Sequence, residues 1–220
     1  MTDYELKNIA PEDIEDLILK VESSFDITFA KSEMAHIKTF GEMCDHITGK
    51  IQLDNLDDCT TQQAFYLLRN GVSKILHLDK TSITIKTKLA DILPRKGRKF
   101  LINLIEEELN IKLNLVRPPY WVTSILFLTS LASLFFSWKI GVWGFGISIV
   151  GFWLSEKLGN ELDLQTIEEV VRKMARENYL KVRRNPKTVN KEEIEQLLVD
   201  LFANDLDLDK SKLTREKTFA

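Results

Sequence analysis

Several pieces of this sequence occur twice. The segment LDKTSITIKTKLA occupies residues 78–90, and the similar LDKSKLTREKTFA occupies residues 208–220, 130 positions later. A second pair lies 84 positions apart: VESSFDITF at residues 21–29 and IEEELNIKL at residues 105–113. Each member of the second pair begins inside an amphipathic helical pattern and continues into an extended exit. The matches indicate one helical unit that occurs twice.

A third pair predicts where two helices begin. IKTFGEMCDHI at residues 37–47 and LQTIEEVVRKM at residues 164–174 are 127 positions apart. Each contains a threonine followed three residues later by a glutamate, which is the pattern of a capping box. The expected pairs of cap and partner are Thr39 with Glu42 and Thr166 with Glu169.

The spacing of the matches predicts an insertion and an unusual order. The third offset exceeds the second by 43 positions, and residues 117–159, an apolar segment with its flanks, also number 43. Loops accept insertions of that size because the entropy of loop closure grows slowly with length. The order of the pieces predicts one complete unit in the middle of the chain and a permuted unit built from the two ends. We expect the complete unit at 57–116 and 160–184, the insertion at 117–159, and the permuted unit at 1–56 and 185–220.

The insertion contains two uncharged runs. Residues 121–138 carry no charge, and after Lys139 residues 140–155 carry none either. As helices they would span roughly 27 and 24 Å, slightly less than the 30 Å of a hydrocarbon core. We interpret them as a two-helix transmembrane hairpin; the alternative is a buried helical pair in a soluble core. Small residues that would let the two helices approach closely are Ser130, Ser133, Ser137, Gly141, Gly144, Ser148 and Gly151.

Basic residues predict the orientation of this hairpin. Arg117 precedes it and seven lysines and arginines follow it within residues 157–184, whereas the turn holds only Lys139. By the positive-inside rule, both ends of the chain would face the cytoplasm of a bacterial inner membrane, with membrane lipid as one partner. No ionisable residue lies inside either run, so the hairpin is expected to be an anchor.

The rest of the composition excludes several functions. The net charge of −3 lacks the basic excess that nucleic-acid binding needs. Cys44 and Cys59 have no CxxC spacing, and the three histidines have no partners at metal-ligand spacing, so we expect no metal site. Because no phosphate-binding loop or Ser-His-Asp pattern is present, we also expect no catalytic residues.

The repeated unit resembles the acyl carrier protein family. AFYLLRNGVSKILHLDKTSITIKTKLADIL, residues 64–93, is similar to the first helix and loop of that family, and RKFLINLIEEELNIKL, residues 98–113, to its second helix. Residues 12–47 are similar to the second through last helices. The resemblance implies an all-α fold with two acyl-carrier-like helical bundles, in addition to the hairpin.

The resemblance also implies where a phosphopantetheine arm would be attached. In that family a serine at the start of the second helix carries the arm, where backbone N–H groups and the helix dipole stabilise its phosphate. Counting back from the end of the second helix, that position is Pro11 in one unit and Arg95 in the other, so no cofactor is expected. The basic segment Arg95, Lys96, Arg98 and Lys99 is either a solvated loop or an anion site for lipid headgroups or an acidic partner.

These features favour a membrane-anchored, non-catalytic docking or scaffold protein. In the acyl carrier family, partner enzymes bind the acidic second helix, so an acyl-processing enzyme of the cytoplasm is the implied partner. A solvated acidic helix face is the alternative. Two other functions stay open: a working carrier of acyl groups, modified at a serine such as Ser24 or Ser82, and a membrane-remodelling or transport-accessory protein that acts through the hairpin. The candidate partner-binding residues are Glu15, Asp16, Glu22, Glu106, Glu107 and Glu108.

Overall fold

A computed structural model describes residues 9–34, 36–133, 146, 149–155 and 157–219, and it is mainly helical, as predicted. The α-helices are α1 (Pro11–Phe25), α2 (Lys31–Met34), α3 (Phe40–Lys50), α4 (Thr60–Leu76), α5 (Leu89–Ile92), α6 (Arg98–Leu109), α7 (Tyr120–Ser133), α8 (Ile167–Glu177), α9 (Tyr179–Val182) and α10 (Lys191–Asp205). Short 3₁₀ helices span Lys80–Ser82 and Lys210–Lys212, and residues 149–155 are also helical.

Four two-residue strands form two small ladders. Strand β1 (Asp54–Asn55) pairs in parallel with β4 (Thr188–Val189), and β2 (Val116–Arg117) pairs antiparallel with β3 (Glu161–Leu162). The β2–β3 ladder brings together the two ends of the predicted insertion. A Cβ added to Gly159 would lie 2.5 Å from the Pro118 nitrogen, so the backbones approach here as only glycine allows.

The chain divides into two compact units. The terminal unit contains residues 1–70 and 171–220, and the central unit contains residues 71–170. Residues 57–70 and 171–184, which we had assigned to the complete middle unit, therefore belong with the chain ends. Contacts explain the difference: the ring of Tyr179 packs 4.9 Å from that of Phe25, and the Thr60 amide donates to the Glu193 carboxylate.

The terminal unit has its own hydrophobic core. Helix α1 contributes Leu17, Val21 and Phe25 at four-residue spacing, so one stripe of the helix is buried. Helices α3 and α10 face this stripe, and the rings of Phe40 and Phe202 meet edge to face at 5.2 Å. Burial of each such side chain contributes about 1.5–3 kcal/mol. Because α10 comes from the distant end of the sequence, the core requires both ends of the chain.

A buried arginine fixes the path of the chain between α9 and α10. Arg183 is 4% exposed, and within the described part of the chain its guanidinium donates to oxygens of neutral groups. The acceptors are the Leu56 and Asp58 carbonyls and the hydroxyls of Thr60, Tyr179 and Thr188. This network joins the segment before α4 to the segment that leads into α10.

Hydrogen bonds join the two ends of the chain directly. In the terminal unit the Phe40 amide donates to the Lys217 carbonyl and the Gly41 amide to the Arg215 carbonyl, both at 2.8 Å. The Phe219 amide donates to the Lys38 carbonyl at 3.0 Å. The first turn of α3 is thus bonded to the last described residues.

The central unit makes the same three bonds at the repeat positions. The Ile167 amide donates to the Thr87 carbonyl at 3.0 Å and the Glu168 amide to the Ile85 carbonyl at 2.9 Å. The Leu89 amide donates to the Gln165 carbonyl at 2.8 Å. Each residue of these bonds is related to its terminal-unit counterpart by the offset of 127 or 130 positions found in the sequence.

The predicted capping box at Thr39 is confirmed. The Thr39 hydroxyl accepts from the Glu42 amide at 3.1 Å, and the Glu42 carboxylate accepts from the Thr39 amide at 3.2 Å. At Thr166 the hydroxyl caps the helix as predicted and accepts from the Glu169 amide at 3.3 Å, but the Glu169 carboxylate accepts from the Gln165 amide and the Thr166 hydroxyl. Both helices therefore begin where the sequence predicted.

The prediction that this chain crosses a bacterial inner membrane twice is wrong. Across the residues that the structure describes, no helix combines the length and the apolar character needed to cross a bilayer. Helix α7 has 14 residues, about 21 Å, whereas a hydrocarbon core is about 30 Å thick. Residues 134–145, 147 and 148, on which much of the predicted hairpin falls, lie outside the described residues.

Candidate functional site

The exposed face of α1 is the first candidate site. Glu12, Asp13, Glu15 and Asp16 are all exposed on the first two turns of the helix. The first two also complement the positive end of the helix dipole. Leu19, one turn further on, is 60% exposed although it is a large apolar side chain. The exposed face of α1 therefore combines four carboxylates with one large apolar side chain.

A cleft of about 330 Å³ opens on this face of α1. Its walls come from α1 and from the segment that follows it, up to α2. Apolar side chains dominate the lining, and two carboxylates lie at its edge. The lining residues are Ile14, Glu15, Ile18, Leu19, Glu22, Phe29, Ala30 and Met34.

Glu22, one of the predicted partner-binding residues, has a structural role. Its carboxylate accepts a hydrogen bond of 2.5 Å from the Phe29 amide, and its own carbonyl accepts from the Ile27 amide at 3.1 Å. Between them Asp26 adopts a left-handed conformation with φ of 51°. These bonds fold the chain back along α1 and form the wall of the cleft.

Glu106 has the same role in α6. It is 7% exposed, and its carboxylate accepts from the Leu113 amide at 2.7 Å, the Asn114 amide at 3.1 Å and the Lys112 ammonium at 3.0 Å. The left-handed residue is here Asn110, again with φ of 51°. The sequence run of three glutamates did not reveal which of them is buried. Glu106 lies four residues before Asn110, and it is the one of the three glutamates whose carboxylate bonds to the chain that returns after Asn110.

The other two glutamates of α6 differ from Glu106. Glu107 is exposed, and Glu108 forms an ion pair with Lys74 at 2.6 Å. Of the six predicted partner-binding residues, Glu22 and Glu106 accept backbone hydrogen bonds and Glu108 forms an ion pair. The other three, Glu15, Asp16 and Glu107, are exposed. Glu15 lines the cleft on α1, and Asp16 is the next residue of the same helix; both belong to the terminal unit, whereas Glu107 belongs to the central unit.

The two carrier positions lie in different local structures. Helix α1 begins at Pro11, whereas α6 begins at Arg98, three residues after Arg95. Gly97 caps α6 with φ of 81°, and this turn delays the start of the helix. Arg95 therefore lies before the helix and forms an ion pair with Glu161 at 2.5 Å.

Ser24 and Ser82, the alternative attachment points for a phosphopantetheine arm, lie in different surroundings. Ser24 is 1% exposed; its hydroxyl donates to the Arg176 carbonyl and accepts from the Tyr179 amide, both at 2.9 Å. A phosphodiester at Ser24 would break this buried contact. Ser82 is exposed in a 3₁₀ helix, where its hydroxyl donates to the Asp79 carbonyl at 2.7 Å.

The predicted basic segment is divided between structural and exposed side chains. Arg98 is buried and donates to the carbonyls of Leu93 at 3.0 Å and Asn160 at 2.6 Å. Lys96 is exposed, and Lys99 donates to the Lys157 carbonyl. Arg95 and Arg98 thus hold the segment that leaves the insertion, a role that sequence spacing could not show.

A second cleft, of about 410 Å³, lies on α6. Its lining is more polar than that of the cleft on α1, and it includes three lysines. The lining residues are Lys99, Ile102, Asn103, Glu106, Lys112, Asn114, Leu115, Val116 and Lys157.

The two cysteines and the possible metal ligands were the remaining candidates for a chemical site. Burial raises the pKa of the Cys44 thiol to about 12, so this thiol is protonated near neutral pH, whereas Cys59 is exposed. In the described part of the chain no group of three or more potential ligands could hold a metal ion.

The predicted helix-packing residues are described only in part. A Cβ added to Gly151 would lie 2.7 Å from a methyl carbon of Leu126, so this glycine permits a close approach to α7. Ser130 is half-buried on α7, and Ser133 ends that helix. Ser137, Gly141, Gly144 and Ser148 lie outside the described residues.

No protein-family model, curated protein or solved structure matches this chain.

Proposed function

We propose that this chain is a non-catalytic docking or scaffold protein built from two acyl-carrier-like units that lack the phosphopantetheine serine. The observation that carries the proposal is the exposed face of α1, where Glu15, Glu22 and the exposed Leu19 line a mainly apolar cleft. In the acyl carrier family the corresponding helix is the one that partner enzymes bind. A protein that offers this surface without the attachment serine binds such partners without carrying a substrate.

The matched hydrogen bonds of the two units support the repeat on which this proposal rests. The turn after the second-helix equivalent is held by Glu22 in one unit and Glu106 in the other, at an offset of 84 positions. The start of the last helix is held by Lys217 in one unit and Thr87 in the other. We propose that the terminal unit is a permuted copy of the central one.

The chemistry of the α1 face defines the proposed partner. Four exposed carboxylates require a basic surface, and Leu19 and the cleft require an apolar side chain at its centre. Such an arrangement gives long-range attraction from the charges and affinity from the apolar contact. By resemblance, the proposed partner is an acyl-processing enzyme.

Charge reversal on α1 tests the docking proposal. The double variant Glu15→Lys, Asp16→Lys reverses two exposed charges on α1, one of which lines the cleft, and the matched control Asp91→Lys, Glu216→Lys reverses two exposed acids elsewhere. Proteins enriched with the tagged chain are quantified by mass spectrometry. We expect at least one basic partner whose recovery falls about tenfold or more with the α1 variant alone, since like charges across an interface cost several kcal/mol. Equal recovery with both variants would contradict the proposal.

The intact mass of the chain separates the scaffold from a working carrier. After co-expression with a broadly specific phosphopantetheinyl transferase, we expect an unchanged mass, because Pro11 and Arg95 occupy the two attachment positions. An increase by one phosphopantetheine, lost in the Ser82→Ala variant, would identify a carrier instead.

A further inference from the structure

The clefts on α1 and α6 occupy the same place in the two units. When 84 is added to the residue numbers that line the α1 cleft, five of the resulting positions also line the α6 cleft. Two of them keep their chemistry: Ile18 corresponds to Ile102, and Glu22 to Glu106. The other three pairs differ, and they are Glu15 with Lys99, Leu19 with Asn103, and Ala30 with Asn114.

The differences change the ligand that each cleft suits. An acidic and apolar lining in the terminal unit is replaced by a basic and polar lining in the central unit. The α6 cleft also contains Lys112 and Lys157, whereas the residue 84 positions before Lys112 is the neutral Thr28. Because five lining positions are shared and the charge of the lining is reversed, we infer that the two clefts have different ligands.

The charges of the α6 cleft can be counted from its lining. Among the described residues that line it, three ammonium groups, of Lys99, Lys112 and Lys157, meet one carboxylate, of Glu106, so the positive charges exceed the negative ones by two. Lys112 forms the ion pair with Glu106 at 3.0 Å. Among the residues that the structure describes, neither Lys99 nor Lys157 forms an ion pair with a carboxylate; the Lys157 ammonium lies 5.0 Å from the centre of the Trp153 ring.

We propose that the α6 cleft binds a small phosphate monoester. Such a group carries about 1.5 to 2 negative charges at neutral pH, which matches the uncompensated charge of Lys99 and Lys157. Lysine acts as a point charge toward phosphate and needs no fixed bidentate geometry. Asn103 and Asn114 supply amides at the same cleft.

The apolar part of the lining sets the rest of the ligand. Ile102, Leu115 and Val116 line the same cleft as the lysines, so an organic group attached to the phosphate can contact apolar side chains there. A volume of about 410 Å³ is within the range of sites for small organic molecules. A monoester with a compact apolar body therefore fits better than inorganic phosphate.

Phenyl phosphate is a suitable probe because it combines the dianion with a compact ring. Isothermal titration of the full chain at low salt is expected to show saturable binding, and amide shifts of the ¹⁵N-labelled chain are expected to be largest near Ile102, Asn103 and Val116. Inorganic phosphate and benzoate, which lack the ring or the second charge, are each expected to bind at least about fivefold more weakly. Equal affinity for benzoate, or no saturable binding of phenyl phosphate, would overturn the proposal.

Lysine variants locate the site. Lys99→Ala and Lys157→Ala are each expected to weaken binding of phenyl phosphate about tenfold, since each removes one charge-assisted contact. Lys96→Ala is the matched control, because Lys96 is exposed in the same basic segment but does not line the cleft; it is expected to change the affinity less than twofold. Equal losses in all three variants would indicate diffuse electrostatic attraction and overturn the assigned cleft.

The lysine variants leave α1 unchanged, so the docking experiment on Glu15 and Asp16 succeeds or fails independently.

Discussion

The carboxylates of α6 have different functions although they are adjacent in the sequence. Glu106 is buried and holds the returning chain, whereas Glu107 is exposed. We expect Glu106→Ala to lower the free energy of unfolding by about 2 kcal/mol, because the buried Leu113 amide loses its acceptor. Glu107→Ala is the matched control, with an expected change below about 0.5 kcal/mol. Urea-induced unfolding of the full chain measures both, and equal effects would show that the Glu106 hydrogen bonds contribute no net stability.

Two aspartates make stability depend on pH. Backbone hydrogen bonds from Thr81 and Ser211 lower the pKa of Asp79 and Asp209, respectively, below the ordinary value of 3.8. Because the folded-state pKa is the lower one, the stabilisation is complete well above pH 3.8 and is lost as the pH falls through the folded-state value. We expect the urea midpoint to fall between pH 6 and pH 3, and to fall less in the double variant Asp79→Asn, Asp209→Asn. Asparagine keeps an oxygen acceptor, so an identical pH profile in the variant would exclude these charges as the cause.

At the scale of single elements, features that depend on neighbouring residues could be predicted from the sequence. The hydroxyl caps at Thr39 and Thr166 could be predicted because each threonine and its partner are three residues apart. The late start of α6 could not, since it depends on the left-handed turn at Gly97. The two-residue strands could not be predicted either, because they have no alternating pattern of their own and form where distant segments meet.

The candidate sites show the same division between local and long-range information. Glu15 and Asp16 could be proposed as a partner surface because the resemblance to the acyl carrier family places them on one short helix, and both are exposed there. The lysines of the α6 cleft were not grouped by sequence reasoning, since Lys112 and Lys157 lie far from Lys99 in the chain and meet it only in the fold. The 84-residue offset, applied to the α1 cleft, was the signal that would have found Lys99, Asn103 and Asn114.

The packing of α3 against the C-terminal segment depends on one glycine. A Cβ at Gly41 would lie 2.8 Å from the Arg215 carbonyl oxygen, which is backbone and cannot rotate away. We expect Gly41→Ala to lower the free energy of unfolding by about 1–3 kcal/mol. Gly49→Ala, in the same helix but with no atom within 4 Å of the added Cβ, is expected to raise it by about 0.5–1 kcal/mol. Thermal unfolding of the two variants should therefore shift in opposite directions, and shifts of the same sign would contradict the close contact.

For the whole molecule, the order of the segments matters as much as their composition. The core of the terminal unit combines Phe40 from α3 with Phe202 from α10, and the hydrogen bond from the Phe219 amide to the Lys38 carbonyl joins the two ends of the chain. In the central unit the equivalent segments are also separated, by the insertion whose ends meet in the β2–β3 ladder. Each unit is thus completed by a segment distant in sequence, so cutting the chain at one place should affect one unit selectively.

Deletion of residues 186–220 tests this dependence. Without α10 and the segment after it, the buried side chains of Met43 and Ile47 lose the surface that covers them. We expect the amides of α3 to lose protection from hydrogen exchange, and those of α6 near Ile105 to keep it, because α6 belongs to the other unit.

A synthetic peptide of residues 186–220 should restore the protection of α3 at roughly millimolar concentration, the range that a covalent linker provides. The same peptide with Phe202→Ser should fail, since it lacks the ring that packs on Phe40. Full protection of α3 in the truncated chain would show instead that the N-terminal segment folds without its distant partner.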